Sequence, residues 1–417
     1  MDKLLIEGGP RLAGEVDVAG AKNSALPVLA ACLLTAEPCR LANVPEVRDL
    51  MTMRKLLDLV GARTQRVDGV LEVEARAVSE PVAPYDLVRT MRASAIVLGP
   101  LLARTGRAAV SLPGGCAIGA RPMNLHLEGL AKMGARLELE GGYIRAEAEQ
   151  LVGTTIEWTR PSVTGTENLM MAAVLARGVT RIKGAALEPE VVDLAQMLER
   201  MGAHIVGAGT PEIRIEGVER LHGVEHTIMP DRIEAGTLLV AAAITGGDVL
   251  VRGARAEHLE AVLAKLSQSG AAITRSAEGI RLRMDGAPRP VDVTTLPFPG
   301  FPTDMQAQLT SLVCLAPGTS AITETIFESR FMHVSELERM GARIDVQGPT
   351  AFVDGVERLT AAPVMATDLR ASAALVLAGL AADGVTEIRR VYHLDRGYAE
   401  LDRKLIALGA RIRRVAE

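Results

Sequence analysis

A Gly-Ala pair repeated six times constrains this chain more than any other feature. It occurs at Gly61-Ala62, Gly134-Ala135, Gly202-Ala203, Gly270-Ala271, Gly341-Ala342 and Gly409-Ala410, at intervals of 73, 68, 68, 71 and 68 residues. Each pair ends an amphipathic segment, such as the one that places Val191, Leu194, Leu198 and Met201 on one face. Glycine just past such a segment marks a helix C-terminus, where the backbone turns through a left-handed conformation that a Cβ disfavours. Alternating runs follow, for example Arg136-Leu137-Glu138-Leu139-Glu140 and Arg343-Ile344-Asp345-Val346, and these read as strands. A period this long exceeds that of common solenoids, so each repeat is a small α/β module.

Every module also carries an earlier, smaller-residue helix: 23–34, 93–103, 167–176, 234–244, 305–315 and 371–381. These segments are nearly all apolar, as expected of helices enclosed on every side by their own domain. The composition agrees, with 48% hydrophobic residues, 40 Gly and only 2% aromatics. Six modules divide into two sets of three, which predicts two similar α/β domains. Eight residues follow Gly409 and about 22 precede the first apolar helix, and together they match the connector found between modules. The N-terminal strands are therefore predicted to complete the sixth module. The expected domains are 22–229 and a discontinuous one of 1–21 plus 230–417, with Met229-Pro230-Asp231 marking the second crossing and the active site in the cleft between the domains.

Composition excludes several functions. One Trp, four Tyr and five Phe offer little stacking surface for single-stranded nucleic acid. A net charge of −5 with both signs intermixed implies no duplex-binding face. The longest apolar stretch, near 24–36, is too short to span a bilayer, and four cysteines without CxxC spacing read as reduced thiols. The expectation is a soluble cytoplasmic protein without a metal or cofactor motif and without membrane or nucleic-acid partners.

The chemistry gathers where the apolar helices begin. Lys22, Arg92 and Arg370 stand at helix starts, where a cation opposes the macrodipole, so they point to an anion site. Three starts, Thr164 to Glu167, Asp231 to Glu234 and Thr303 to Gln306, have capping-box spacing. Half of the ten residues from Pro113 to Pro122 are Gly or Pro, and this repeat is the longest of the six, so the segment reads as a projecting loop. It carries Cys116 beside Arg121, a candidate acid or nucleophile, whereas Cys32 and Cys314 sit in apolar helices. Asp304 follows Pro302-Thr303 at another helix start, and Ser162 is either a cap or a phosphate ligand. His126 and His333 each precede a helical pattern and read as structural.

The blocks Ala21-Lys22-Asn23-Ser24-Ala25-Leu26-Pro27, Met91-Arg92-Ala93-Ser94, Pro113 to Pro122, Gly300 to Gln306 and Asp395-Arg396-Gly397-Tyr398 resemble, in order and over the full length, the enolpyruvyl transferase family. The Gly-Gly-Cys loop resembles the members that use UDP-N-acetylglucosamine, rather than the alternative, the 5-enolpyruvylshikimate-3-phosphate synthases. The resemblance implies two inside-out α/β domains, each of three βαβαββ units. It implies transfer of the enolpyruvyl group of phosphoenolpyruvate to the 3′-hydroxyl of UDP-N-acetylglucosamine in peptidoglycan synthesis. By motif position it makes Cys116 the proton donor and Asp304 the acceptor of the sugar hydroxyl proton, with Lys22 and Arg396 also catalytic. Lys22, Asn23, Arg92, Arg121 and Arg396 match the phosphoenolpyruvate cradle. Arg92, Arg121, Pro122, Met123, Asn124, Leu125, Arg160, Ser162, Val163, Asp304 and Ile326 match the nucleotide-sugar contacts. Asn124 replaces the family's usual Asp, and Thr164-Gly165 its usual Gly-Ala. A non-catalytic nucleotide-sugar sensor would need neither Cys116 nor Asp304.

Overall fold

The computed structural model describes residues 2–112 and 123–416, without the side chains of Arg92 and Ala93. These residues form two units, one of positions 2–19 with 230–416 and one of 20–112 with 123–229.

Each unit is built around three mutually packed helices. In the unit beginning at Gly20 they are Lys22–Ala31, Leu98–Thr105 and Val163–Ala173; the first continues into a 3-10 turn, Cys32–Leu34, and the second is preceded by one, Arg92–Val97. In the other unit they are Arg232–Ile244, Gln306–Val313 and Leu369–Ala381. Every residue from Ile233 to Ile244 is buried. Small side chains permit this closeness: a Cβ on Gly236 would lie 2.9 Å from the Met305 sulfur. The low aromatic content follows from the same geometry, because a ring would force these helices apart.

Among the described residues, six four-stranded sheets and the amphipathic helices surround the two centres. Each sheet pairs two central strands antiparallel, adds a third antiparallel strand, and takes a parallel strand on its other edge. In four sheets that parallel strand precedes the module's own buried helix in sequence, as Thr155–Glu157 does beside Val179–Lys183. In the other two it is exchanged. Ala13–Asp17 runs parallel to Asp248–Arg252 of the fourth module, and Glu225–Thr227 runs parallel to Cys39–Ala42 of the first. The expectation that both N-terminal strands complete the sixth module is thus half corrected. Asp2–Glu7 does so, lying between Val385–Arg389 and Arg411–Ala416. Ala13–Asp17 instead supplies the missing edge of the fourth, because that module's own preceding strand is spent on the first.

The repeated glycines all adopt positive φ, from 88° at Gly341 to 107° at Gly61. The following alanine N–H reaches back to a leucine carbonyl in all six modules: Ala62 to Leu57, Ala135 to Leu130, Ala203 to Leu198, Ala271 to Leu266, Ala342 to Leu337 and Ala410 to Leu405. This is the six-to-one bond of a Schellman motif. All six leucines are fully buried. Burying each contributes roughly 1.5–3 kcal/mol, so the stop signal is also a core anchor.

Helix starts depart from the capping-box expectation. Asp231 caps its helix, accepting from the N–H groups of Ile233 and Glu234, but Glu234 does not complete the box: it pairs with Lys404 and accepts from the Ala19 N–H. Ser162, not Thr164, caps Val163–Ala173, accepting from Gly165 N–H at 3.1 Å. Gly165 suits this cap because a Cβ there would meet the Ser162 hydroxyl at 2.9 Å. The Thr303 hydroxyl donates to Glu324 rather than capping.

Candidate active site

In the unit beginning at Gly20, Lys22 opens its buried helix without a side-chain cap. Its Nζ lies 2.9 Å from Asp49 Oδ2 at the start of the helix Arg48–Val60. The cation that opposes the macrodipole therefore has a carboxylate beside it. Asn23 is half-buried next to it, and the Ser24 hydroxyl donates to Asp193. Asp193 also faces His226 Nε2 at 3.3 Å and accepts from Met229 N–H at 3.4 Å. This buried web fixes the first turn that presents Lys22 and Asn23, and no sequence pattern pointed to it.

Met123, Asn124 and Leu125 begin the helix Asn124–Lys132. His126 in its first turn ties that segment to the Ser162 helix start. Asn168 Nδ2 donates to His126 Nδ1 at 3.0 Å, and His126 Nε2 lies 3.4 Å from the Thr164 hydroxyl. The Gly99 N–H donates to Asn168 Oδ1 and fixes the amide's orientation. Burial pushes His126 down to about 4, so it stays neutral and structural. Met123, Leu125, Ser162 and Val163 are half-buried, and Asn124 and Arg160 exposed, around this junction. Cys116, Arg121 and Pro122 lie outside the described residues, as does the side chain of Arg92.

In the other unit Asp304 is the centre of an ion cluster. Arg330 Nη2 donates to its Oδ1 at 2.7 Å, and Arg370 Nη2 to its Oδ2 at 2.8 Å. Both arginine side chains are 4% exposed, whereas a quarter of the Asp304 side chain is open. Burial opposes ionisation of Asp304, but the two guanidinium groups outweigh it and hold the carboxyl well below its usual range. Burial likewise opposes the charge on Arg370, and Asp304 more than restores it. Arg370 therefore has a protein carboxylate as its counter-ion. Its guanidinium also stacks 5.3 Å from the Tyr398 ring centroid, and the Tyr398 hydroxyl joins Thr237 and Gln308 in hydrogen bonds.

Arg396 ends the 3-10 turn Val391–Arg396, two residues before Tyr398, so its backbone is anchored to the same cluster. The neighbouring Asp395 accepts from Arg414 at 2.5 Å. Ile326 sits in a turn whose N–H groups point at the buried Glu324 carboxylate. Sequence reasoning missed Arg330 and Glu324. Their only signal was proximity to Ile326 in the run from Glu324 to Arg330. Cys32, Cys39 and Cys314 are buried free thiols, Cys314 pushed up to about 12 by its burial. Among the described residues no group of His, Cys, Asp or Glu has metal-site geometry, and no helix is long and apolar enough to cross a membrane.

Two units of three βαβαββ modules, each wrapped around its own helices, define an enolpyruvyl transferase fold. The structure of the enolpyruvyl transferase NikO from Streptomyces tendae superposes with a TM-score of 0.89 at 28% identity, covering 100% of this chain and 99% of that one. Residues 6–405 match the EPSP synthase (3-phosphoshikimate 1-carboxyvinyltransferase) family, and the chain belongs to it as a carboxyvinyltransferase enzyme. Among curated relatives, the UDP-N-acetylglucosamine 1-carboxyvinyltransferase of Nitratidesulfovibrio vulgaris strain DP4 is 59% identical over the full length of both chains. The protein of that name from Anaeromyxobacter dehalogenans strain 2CP-1 is 58% identical, again over the full length of both.

Proposed function

We propose that this enzyme transfers the enolpyruvyl group of phosphoenolpyruvate to the 3′-hydroxyl of UDP-N-acetylglucosamine, releasing phosphate, as a cytoplasmic step of peptidoglycan synthesis. The observation that carries the acceptor's identity is the end-to-end likeness, at 58–59% identity, to relatives named for that reaction. The family model alone speaks for shikimate 3-phosphate as acceptor.

The reaction adds a proton to C3 of phosphoenolpyruvate, and O3′ of the sugar bonds to C2. The O3′ proton leaves, and the tetrahedral product then loses a C3 proton as the C2–O bond to phosphate breaks. In this reading Cys116 donates the first proton and Asp304 takes the O3′ proton. Lys22, Arg92, Arg121 and Arg396 balance the phosphate and carboxylate charges, and Asn23 adds an amide hydrogen bond. Met123, Asn124, Leu125, Arg160, Ser162, Val163 and Ile326, with Pro122, hold the nucleotide sugar. The electrostatics of Asp304 say when it acts. A carboxylate held by two guanidinium groups is a weak base and cannot ionise a free hydroxyl. Once O3′ has bonded to C2 its proton is strongly acidic, and a weak, permanently ionised base is then sufficient. Asp304 thus orients the hydroxyl first and receives the proton late.

Phosphate release measured with phosphoenolpyruvate and either acceptor tests this. Release should require UDP-N-acetylglucosamine, and release driven only by shikimate 3-phosphate overturns the acceptor assignment. Normal turnover by Cys116→Ser would remove the proton-donor role.

A further inference from the structure

Glu324 follows the strand Thr319–Thr323 and is only 4% exposed. Its carboxylate accepts four hydrogen bonds. Oε1 takes the Thr295 hydroxyl and Ile326 N–H, both at 2.8 Å, and Phe327 N–H at 3.2 Å; Oε2 takes the Thr303 hydroxyl at 2.8 Å. Three donors crowd Oε1, one holds Oε2, and the residue is buried, so Glu324 acts through these neighbours.

What those neighbours touch gives the cluster its meaning. The Thr303 hydroxyl, while donating to Glu324, accepts from Arg330 Nη1 at 3.1 Å. Arg330 uses its other terminal nitrogen to hold Asp304 at 2.7 Å and lies 5.4 Å from the Phe327 ring centroid. One buried carboxylate therefore fixes both the Ile326–Phe327 turn and the residue preceding Asp304. We propose that Glu324 is a positioning residue that keeps the acceptor-binding turn at Ile326 in register with the proton-accepting carboxylate of Asp304. The inference rests on the acceptor reading given above.

Glutamine at this position keeps the size but presents an amide nitrogen to one side of the donor set. With the nitrogen at the Oε1 position the Ile326 and Phe327 N–H groups face a donor; at the Oε2 position the Thr303 hydroxyl, which already accepts from Arg330, must turn to accept a second bond. With UDP-N-acetylglucosamine and phosphoenolpyruvate as substrates, Glu324→Gln should raise KM for the sugar nucleotide about tenfold, a loss of about 1.4 kcal/mol of binding. KM for phosphoenolpyruvate should stay within about twofold, since the turn carries none of its ligands. Thr303→Val removes the hydroxyl that links Glu324 to Arg330 and should reproduce the split, whereas Thr303→Ser retains the hydroxyl and should restore wild-type constants. The threonine pair decides the matter if Glu324→Gln does not fold. Equal rises in both KM values, no rise in either, or Thr303→Ser behaving like Thr303→Val would overturn the proposal. A wild-type enzyme that releases no phosphate with the sugar nucleotide would instead defeat the acceptor reading, before any variant is compared.

Discussion

Asp304→Asn separates the structural task of this carboxylate from its chemical one. The substitution leaves Arg330 and Arg370, each 4% exposed, facing a neutral amide. Removing one partner of a buried ion pair costs about 3–5 kcal/mol, because the remaining charge is desolvated without compensation. Arg370 is the more vulnerable, since among the described residues its Nε and Nη1 have no hydrogen-bond partner. Two features favour the lower end: asparagine keeps one carbonyl oxygen for one guanidinium, and solvent reaches the open quarter of the Asp304 site. The expected loss is about 3 kcal/mol, a fall in Tm of about 6–12 °C for a unit of this size. Calorimetry or far-ultraviolet circular dichroism is the assay, because the single Trp, Trp158, belongs to the other unit. The pH dependence has a definite sign. A carboxyl held below its unfolded value of about 3.9 contributes stability that is complete above that pH and lost as pH falls through the folded value. The gap between wild type and variant should hold from about pH 8 to pH 5 and narrow only below about pH 4. A Tm within about 2 °C of wild type, or a gap that closes between about pH 8 and pH 5, would falsify the reasoning.

Two further outcomes follow from buried groups. Burial pushes His126 and His333 down to about 4, so between there and the unfolded value of about 6.5 only the unfolded chain takes up their protons. Stability should fall with pH over that window, by up to about 3 kcal/mol for each; His126→Gln should flatten part of the fall, and a urea midpoint unchanged between about pH 7.5 and pH 5 would refute it. With Cys32, Cys39 and Cys314 buried, a Cys116→Ser variant should incorporate no thiol reagent under native conditions, and rapid labelling of that variant by mass spectrometry would contradict their burial.

The parts legible in the sequence are those set by local rules. The Gly-Ala pairs announced six helix ends because left-handed backbone at that point demands glycine, and the apolar segments announced the central helices. Strand exchange was not legible, because Ala13–Asp17 and Glu225–Thr227 are equivalent by pattern and only three-dimensional closure decides which sheet each completes. Capping boxes failed where a longer-range partner competed, as Lys404 does for Glu234 and Glu324 for Thr303. Asp304 was found by motif, but its two guanidinium partners lie 26 and 66 residues away, beyond any local spacing rule.

The exchanged strands also set a timetable for synthesis. The sheet begun by Cys39–Ala42 gains its parallel edge only after Glu225–Thr227 has left the ribosome. Asp2–Glu7 waits for Arg411–Ala416, Glu7 and Arg411 being 404 residues apart, before both of its edges are paired. At about 5–20 residues per second that wait is on the order of 20–80 s, during which a strand whose Leu4 and Ile6 belong in the core travels with open edges. A cell making this protein must shield that strand until its distant partner arrives.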